Sequence, residues 1–284
     1  MSDVFYKFKP FSDYLIKELC NGEVYYSPPE LFNDPMDCSP VIVNDISDED
    51  LKNLYRIFVS SMFSGEDFDH KLSDFELNDK ECDPSCDDRE LLDRIMCQDI
   101  LRALNKVFCR YGVLSLTKRF DSPLMWSHYA DQHRGVCIEY SLCDRTGVTP
   151  VRVDYNASRG ISSKKILDWV RSNQMEVDED IIQKYFFSKA KDWEYEEEWR
   201  CLSKDKGVNP CPFKISSILF GMRCDISIVA AIIKLMSSHE DTISYFRVKP
   251  MDGQFKLTKI LMDKDEIVAS TPRESVLLAF PSYP

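Results

Sequence analysis

Short strand-like runs recur along this whole chain, the first of them, Val4–Lys9, alternating apolar and polar residues, and the helical insertions between them are irregular. This pattern is the strongest constraint on the fold. A doubly wound parallel sheet would repeat strand–helix–strand units evenly. This chain instead reads as α+β, with a mixed or antiparallel sheet core and helical insertions.

The first strand is Val4–Lys9. Ser12 then caps a helix that ends at Asn21-Gly22, and a second strand covers 23–27. A turn-rich loop follows, Pro28-Pro29-Glu30-Leu31-Phe32-Asn33-Asp34-Pro35. Helices are expected at 47–63, capped by Ser47, and at about 88–110. The stretch 64–90 between them is strongly acidic and reads as a mobile insertion. Strands are expected at 111–117, 135–140, 151–155, 193–202 and 215–220. A short helix should start at Ser122-Pro123, two should fill 161–190, and Asp225 should cap another over 226–237. Final strands are expected near 243–249, 255–261 and 275–280.

The 284 residues are 44% hydrophobic, with 17 Phe and 13 Tyr against 9 Gly. That composition supports a packed core and excludes a disordered chain; we read residues 1–284 as a single domain. A net charge of −12 argues against a dedicated DNA-binding protein. Arg145, Arg152, Arg159, Lys164, Lys165 and Arg171 lie close in sequence, but Asp144, Asp154 and Asp168 dilute them. A local site for an anionic ligand stays open.

There is no run of about 18 apolar residues to span a membrane, and MSDVFYKFKP has no apolar export segment. The eleven cysteines are odd in number and irregularly spaced, which predicts reduced thiols and a cytoplasmic location. Cys82 and Cys86 lie in the acidic stretch without a second Cys or His pair, so no metal is expected.

Three segments carry chemistry. In Trp193-Glu194-Tyr195-Glu196-Glu197-Glu198-Trp199-Arg200, strand geometry would put Glu194, Glu196, Glu198, Arg200 and Leu202 on one face. Neighbouring carboxylates push their pKa values apart, so one can stabilise a cation while the other acts as a base. The plain alternative is a solvated, charged edge strand. In Trp126-Ser127-His128-Tyr129, three rings within four residues form a stacking platform with polar tips, or else a small core helix. At the opening, Tyr6, Lys7, Tyr26, Ser27 and Asn33 bring polar groups to neighbouring strand ends, where they could hold a ligand's amide or ribose. His70, His133 and His239 have no ligand spacing. GxGxxG, phosphate-loop, HExxH and GxSxG motifs are absent, which removes several common enzyme classes.

Taken together, Tyr6-Lys7-Phe8, Tyr26-Ser27-Pro28, Phe32-Asn33-Asp34-Pro35, Leu124 to Ala130 with Gly135, and the 193–200 segment resemble the bacterial domain of unknown function 2971. More distantly, the element order is similar to ADP-ribosyltransferases. That second resemblance implies a split-sheet fold with NAD as substrate. It also implies that Lys7 or Tyr6 contacts the nicotinamide ribose or amide, and that Ser27, Ser115 or His128 occupies a middle position. Glu198 would stabilise the ribose cation, with Glu196 as its upstream partner.

The expected function is therefore an NAD-consuming, ADP-ribosyltransferase-like enzyme acting on a protein, a nucleic acid or NAD itself, of the kind that serves as a toxin or anti-phage effector. The expected catalytic residues are Glu198, Glu196 and His128. Tyr6, Lys7, Tyr26, Ser27, Asn33, Ser115, Trp126, Tyr129 and Arg200 would hold the ligand. The alternatives are a nucleotide or sugar hydrolase using Glu196 and Glu198, and a non-catalytic binding module built on Trp126 to Tyr129.

Overall fold

The computed structural model describes residues 4–62, 87–172, 174, 176–237, 243–273 and 275. Their strands are β1 (Val4–Lys9), β2 (Glu23–Tyr26), β3 (Val41–Val43), β4 (Gly112–Thr117), β5 (Val136–Ser141), β6 (Val151–Arg152), β7 (Gly160–Ser162), β8 (Glu198–Ser203), β9 (Gly207–Pro210), β10 (Lys214–Phe220), β11 (Ser244–Pro250) and β12 (Leu257–Leu261). The helices are α1 (Asp13–Asn21), α2 (Asp48–Met62), α3 (Asp87–Phe108), α4 (Pro123–Tyr129), α5 (Ser163–Arg171), α6 (Glu179–Phe186), α7 (Ile226–Met236) and α8 (Lys264–Ala269). The protein is α+β, as the irregular spacing of its elements predicts.

One eight-stranded sheet runs in the order β12-β11-β10-β5-β1-β4-β8-β6, and β2-β9 and β3-β7 form separate ribbons. Within the large sheet only β10–β11 is parallel. Alternation along the strands sorts the core. Phe5, Leu114, Leu116 and Ile138 pack under α1 and α7 on one face. Tyr6, Phe8, Cys137 and Leu219 pack with Trp126 on the other, and Val113 joins the cluster of α2, α3, α5 and α6 there. Among the described residues, no helix is long and apolar enough to cross a membrane.

Local signals explain most boundaries. The Ser12 and Ser122 hydroxyls accept from the first-turn amides of α1 and α4, and Asp225 caps α7 in the same way. Gly22 ends α1 with φ 65, a conformation that favours glycine.

The 193–202 segment departs from expectation. Lys191–Glu196 is a 3₁₀ turn, and Glu197 turns the chain through φ 44 before β8 begins at Glu198. Trp193, Tyr195 and Glu197 alternate with glutamates as strand residues would, but the turn fixes their positions. The expected strand at 151–155 keeps regular pairing only at Val151–Arg152, with an isolated bridge at Asp154. Of the acidic stretch, 64–86 lies outside the described residues, as do Cys82, Cys86 and positions 276–280 of the strand expected at 275–280.

The sheet is nearly open at one seam. β1 meets β5, and β4 meets β8, through six register pairs each, but β1 meets β4 only at Tyr6↔Thr117. Farther along, the β4 edge passes to Ser27, which exchanges two backbone hydrogen bonds with Val113 at 2.8 and 2.9 Å. Between these contacts, the Lys7 ammonium donates to the Ser115 carbonyl at 3.0 Å.

Candidate active site

A cavity of about 340 Å³ lies at that seam. Its walls include Tyr6, Lys7 and Phe8 from β1, Ser115 and Thr117 from β4, and Glu198 and Arg200 from β8. Ser27, Asn33 and Asp37 come from the loop after β2, Tyr129 from α4, and Lys189 and Glu196 from the segment before β8. Residues from nearly 200 positions of sequence thus converge on one small volume.

Its floor is an ion-pair network. Lys189 Nζ lies 2.6 Å from Glu196 Oε2, 2.9 Å from Glu198 Oε2 and 3.5 Å from Asp37 Oδ2. Burial works against the ammonium charge, but Glu198, Glu196 and Asp37 outweigh it and hold this lysine above the usual range. Arg200 Nε and Nη2 donate to Glu198 at 2.8 and 2.9 Å. Its Nη1 and Nη2 grip Asp37 at 2.9 and 2.6 Å, and Nη1 also donates to the Phe186 carbonyl at 2.6 Å. The five N–H groups of a guanidinium are thereby used. Burial would push the Glu198 carboxyl up, but Arg200 and Lys189 outweigh it and hold the pKa at about 2.

Glu196 joins the network from the 3₁₀ turn. Its Oε1 accepts the Tyr129 hydroxyl at 2.6 Å, and its main-chain carbonyl accepts the Thr117 hydroxyl at 2.6 Å. Burial and the neighbouring Glu196 keep the Tyr129 phenol protonated, well above the usual tyrosine range. Asn33 Nδ2 reaches the Tyr129 oxygen at 3.4 Å, and the Trp193 indole donates to Asp34 at 2.8 Å. The Asn-Asp-Pro turn is in this way tied to the segment that carries Glu196.

Lys7 differs from Lys189. Its Nζ meets a backbone carbonyl, and among the described residues no carboxylate lies within ion-pair distance of it. Burial lowers its pKa to about 8.

The structure brings together Glu196, Glu198, Arg200, Tyr129, Asn33, Ser27, Ser115, Lys7 and Tyr6. Five expected roles change. His128 is exposed and does not line the cavity, because α4 turns Met125 and Tyr129 toward it instead. Trp126 is fully buried in the core and donates its indole N–H to the Phe120 carbonyl at 2.7 Å. Tyr26 is buried under α1 in the core. Arg200 has no donor left for a ligand, so it positions Glu198 and Asp37. Tyr6 offers the cavity its ring only, because its hydroxyl donates to Glu139 at 2.9 Å.

Lys189 and Asp37 escape the sequence reading. Each is a lone charged residue in an irregular segment, and only the buried partners 7 to 163 positions away reveal it. Among the described residues, no group of three His, Cys, Asp or Glu side chains could hold a metal ion. The three carboxylates here converge on an ammonium and a guanidinium.

No curated protein and no solved structure matches the chain. A family model described as "Protein of unknown function (DUF2971)" matches residues 125–201. The resemblance to the DUF2971 family therefore holds over the segment that carries Tyr129, Lys189, Glu196, Glu198 and Arg200.

Proposed function

We propose that the cavity is the active site of an NAD-consuming, ADP-ribosyltransferase-like enzyme. The observation that carries this reading is the charge of the cavity floor. Three carboxylates, Asp37, Glu196 and Glu198, face two cations, Lys189 and Arg200, leaving one negative charge in excess. A fixed negative field of this kind favours a transition state in which positive charge develops on a sugar ring.

In this mechanism the bond between C1′ of the ribose and the nicotinamide nitrogen breaks, and the electron pair leaves with nicotinamide. Glu198 stabilises the ribose cation. Glu196 accepts the proton of the attacking group, while Tyr129 holds its carboxylate in place. Attack by water gives hydrolysis, and attack by a protein or nucleic-acid group gives transfer. NAD loss of either kind suits a toxin or an anti-phage effector.

A second reading is a rigid, non-catalytic ligand pocket, favoured by the complete internal use of Arg200. Incubating the protein with NAD separates the two. Released nicotinamide supports the enzyme. A thermal shift with NAD but no nicotinamide supports the pocket, and neither response removes NAD from the account.

A further inference from the structure

Lys7 is the charged group at this cavity that the ion-pair network does not use. Lys189 is shared among three carboxylates and Arg200 between two, whereas the Lys7 ammonium donates to the Ser115 carbonyl and has no carboxylate in ion-pair range among the described residues. A part-buried cation without a counter-ion is costly, and an incoming anion removes that cost. Ser27 and Ser115 line the same wall, the Ser27 hydroxyl donating to the Pro28 carbonyl at 3.4 Å and the Ser115 side chain hydrogen-bonding Glu198. Glu198 of the carboxylate floor lies close enough to favour the Lys7 charge but does not pair with it. The cavity therefore offers a cation outside the ion-pair network, at the β1–β4 seam beside the Glu196/Glu198 floor.

We propose that Lys7 forms a phosphate-binding subsite, so that the ligand of this cavity is a phosphorylated sugar or nucleotide whose phosphate lies at the β1–β4 seam. This rests on the cavity being a ligand site and adds the class of ligand. It does not require that the bond to nicotinamide be cleaved.

The charge of Lys7 is set by groups on three elements. Lys9 on β1 opposes it, while Glu18 on α1 and Glu198 and Cys201 on β8 favour it. Burial still dominates and leaves the amine titrating near pH 8, so phosphate binding should draw a proton onto Lys7.

The test compares ribose, ribose 5-phosphate and inorganic phosphate as ligands of the full chain by calorimetry. Ribose 5-phosphate should bind about 10- to 100-fold more tightly than ribose, as for a hydrogen bond to a charged group. Binding at pH 7.5 should take up protons, seen as a dependence on buffer ionisation heat. At pH 9.5 the preference should weaken. Lys7→Met should abolish the preference and Lys7→Arg should keep it. If Lys7→Met does not fold, the wild-type buffer and pH series carries the test. Equal binding of the two sugars by wild type, or an unchanged preference in folded Lys7→Met, overturns the proposal, as does binding of inorganic phosphate alone. Phosphate preference without nicotinamide release would count against the transferase reading and leave the subsite standing. Nicotinamide release without the preference would do the reverse.

Discussion

Arg200 grips Asp37 through two parallel hydrogen bonds, Nη1 to Oδ1 at 2.9 Å and Nη2 to Oδ2 at 2.6 Å, across 163 positions of sequence. The Arg200 side chain has no exposed surface, and that of Asp37 is 3% exposed. This pair fastens the loop after β2 to the strand that carries Glu198, and so shapes one wall of the cavity.

Breaking that pair should be severe. Asp37→Asn removes one charge of a buried network and turns the paired carboxylate–guanidinium contact with Arg200 into one that an amide cannot fully accept. We expect a loss of about 3–5 kcal/mol. Urea unfolding measures it, and a loss below about 1 kcal/mol would show that the network does not hold the fold.

Acid should weaken the protein through Glu198. Its folded pKa of about 2 lies below the ordinary value of 4.5. A depressed carboxyl contributes stability that is present above pH 4.5 and is lost as pH falls toward 2. The displacement corresponds to about 3 kcal/mol. Melting curves from pH 7 to pH 3 should fall steeply for wild type and less steeply for Glu198→Gln, and parallel profiles would count against this.

Tyr129→Phe removes the 2.6 Å hydrogen bond to Glu196 and the 3.4 Å contact from Asn33. A loss of about 1–3 kcal/mol is expected if Glu196 is left under-satisfied. Nicotinamide release should fall without a matching change in NAD binding. His128→Ala should leave release, binding and melting unchanged, because that ring lies outside the cavity. A loss of NAD binding in His128→Ala would restore the role expected from the sequence.

Gly221→Ala should disturb the site from a distance. A Cβ at Gly221 would collide with the His133 carbonyl oxygen. That carbonyl belongs to a turn in which Asp131, Gln132 and His133 take φ 44, 52 and 71, just after the helix that presents Tyr129. Overpacking costs about 1–3 kcal/mol and occasionally more. A melting curve like that of wild type would show that the turn yields freely.

The fold was legible where local chemistry decides it. Ser12, Gly22, Ser122 and Asp225 mark helix ends, and alternation marks β1. It failed at 193–197, where alternating aromatics and glutamates imitate a strand while the chain makes a 3₁₀ turn. From Glu198 onward the alternation holds, with Trp199 against Phe5 on one face and Glu198 and Arg200 on the other. The site was legible in its clustered motifs. Asp37 and Lys189 were not, because a single charge in a loop shows nothing of a partner brought to it by the tertiary fold. The same limit gave His128 a role. A short helix states which residues share a face, but only packing shows which face meets the cavity.

The most direct measurement is steady-state nicotinamide release from NAD by wild type and by Glu198→Gln, the latter shown to be folded by circular dichroism at the assay temperature. Removing one electrostatic group that acts in the transition state lowers turnover about 100- to 1000-fold. The account predicts measurable release by wild type, a loss of that order in kcat for Glu198→Gln, and a KM that changes little. Equal release by the two proteins, or no release from folded wild type, would contradict it.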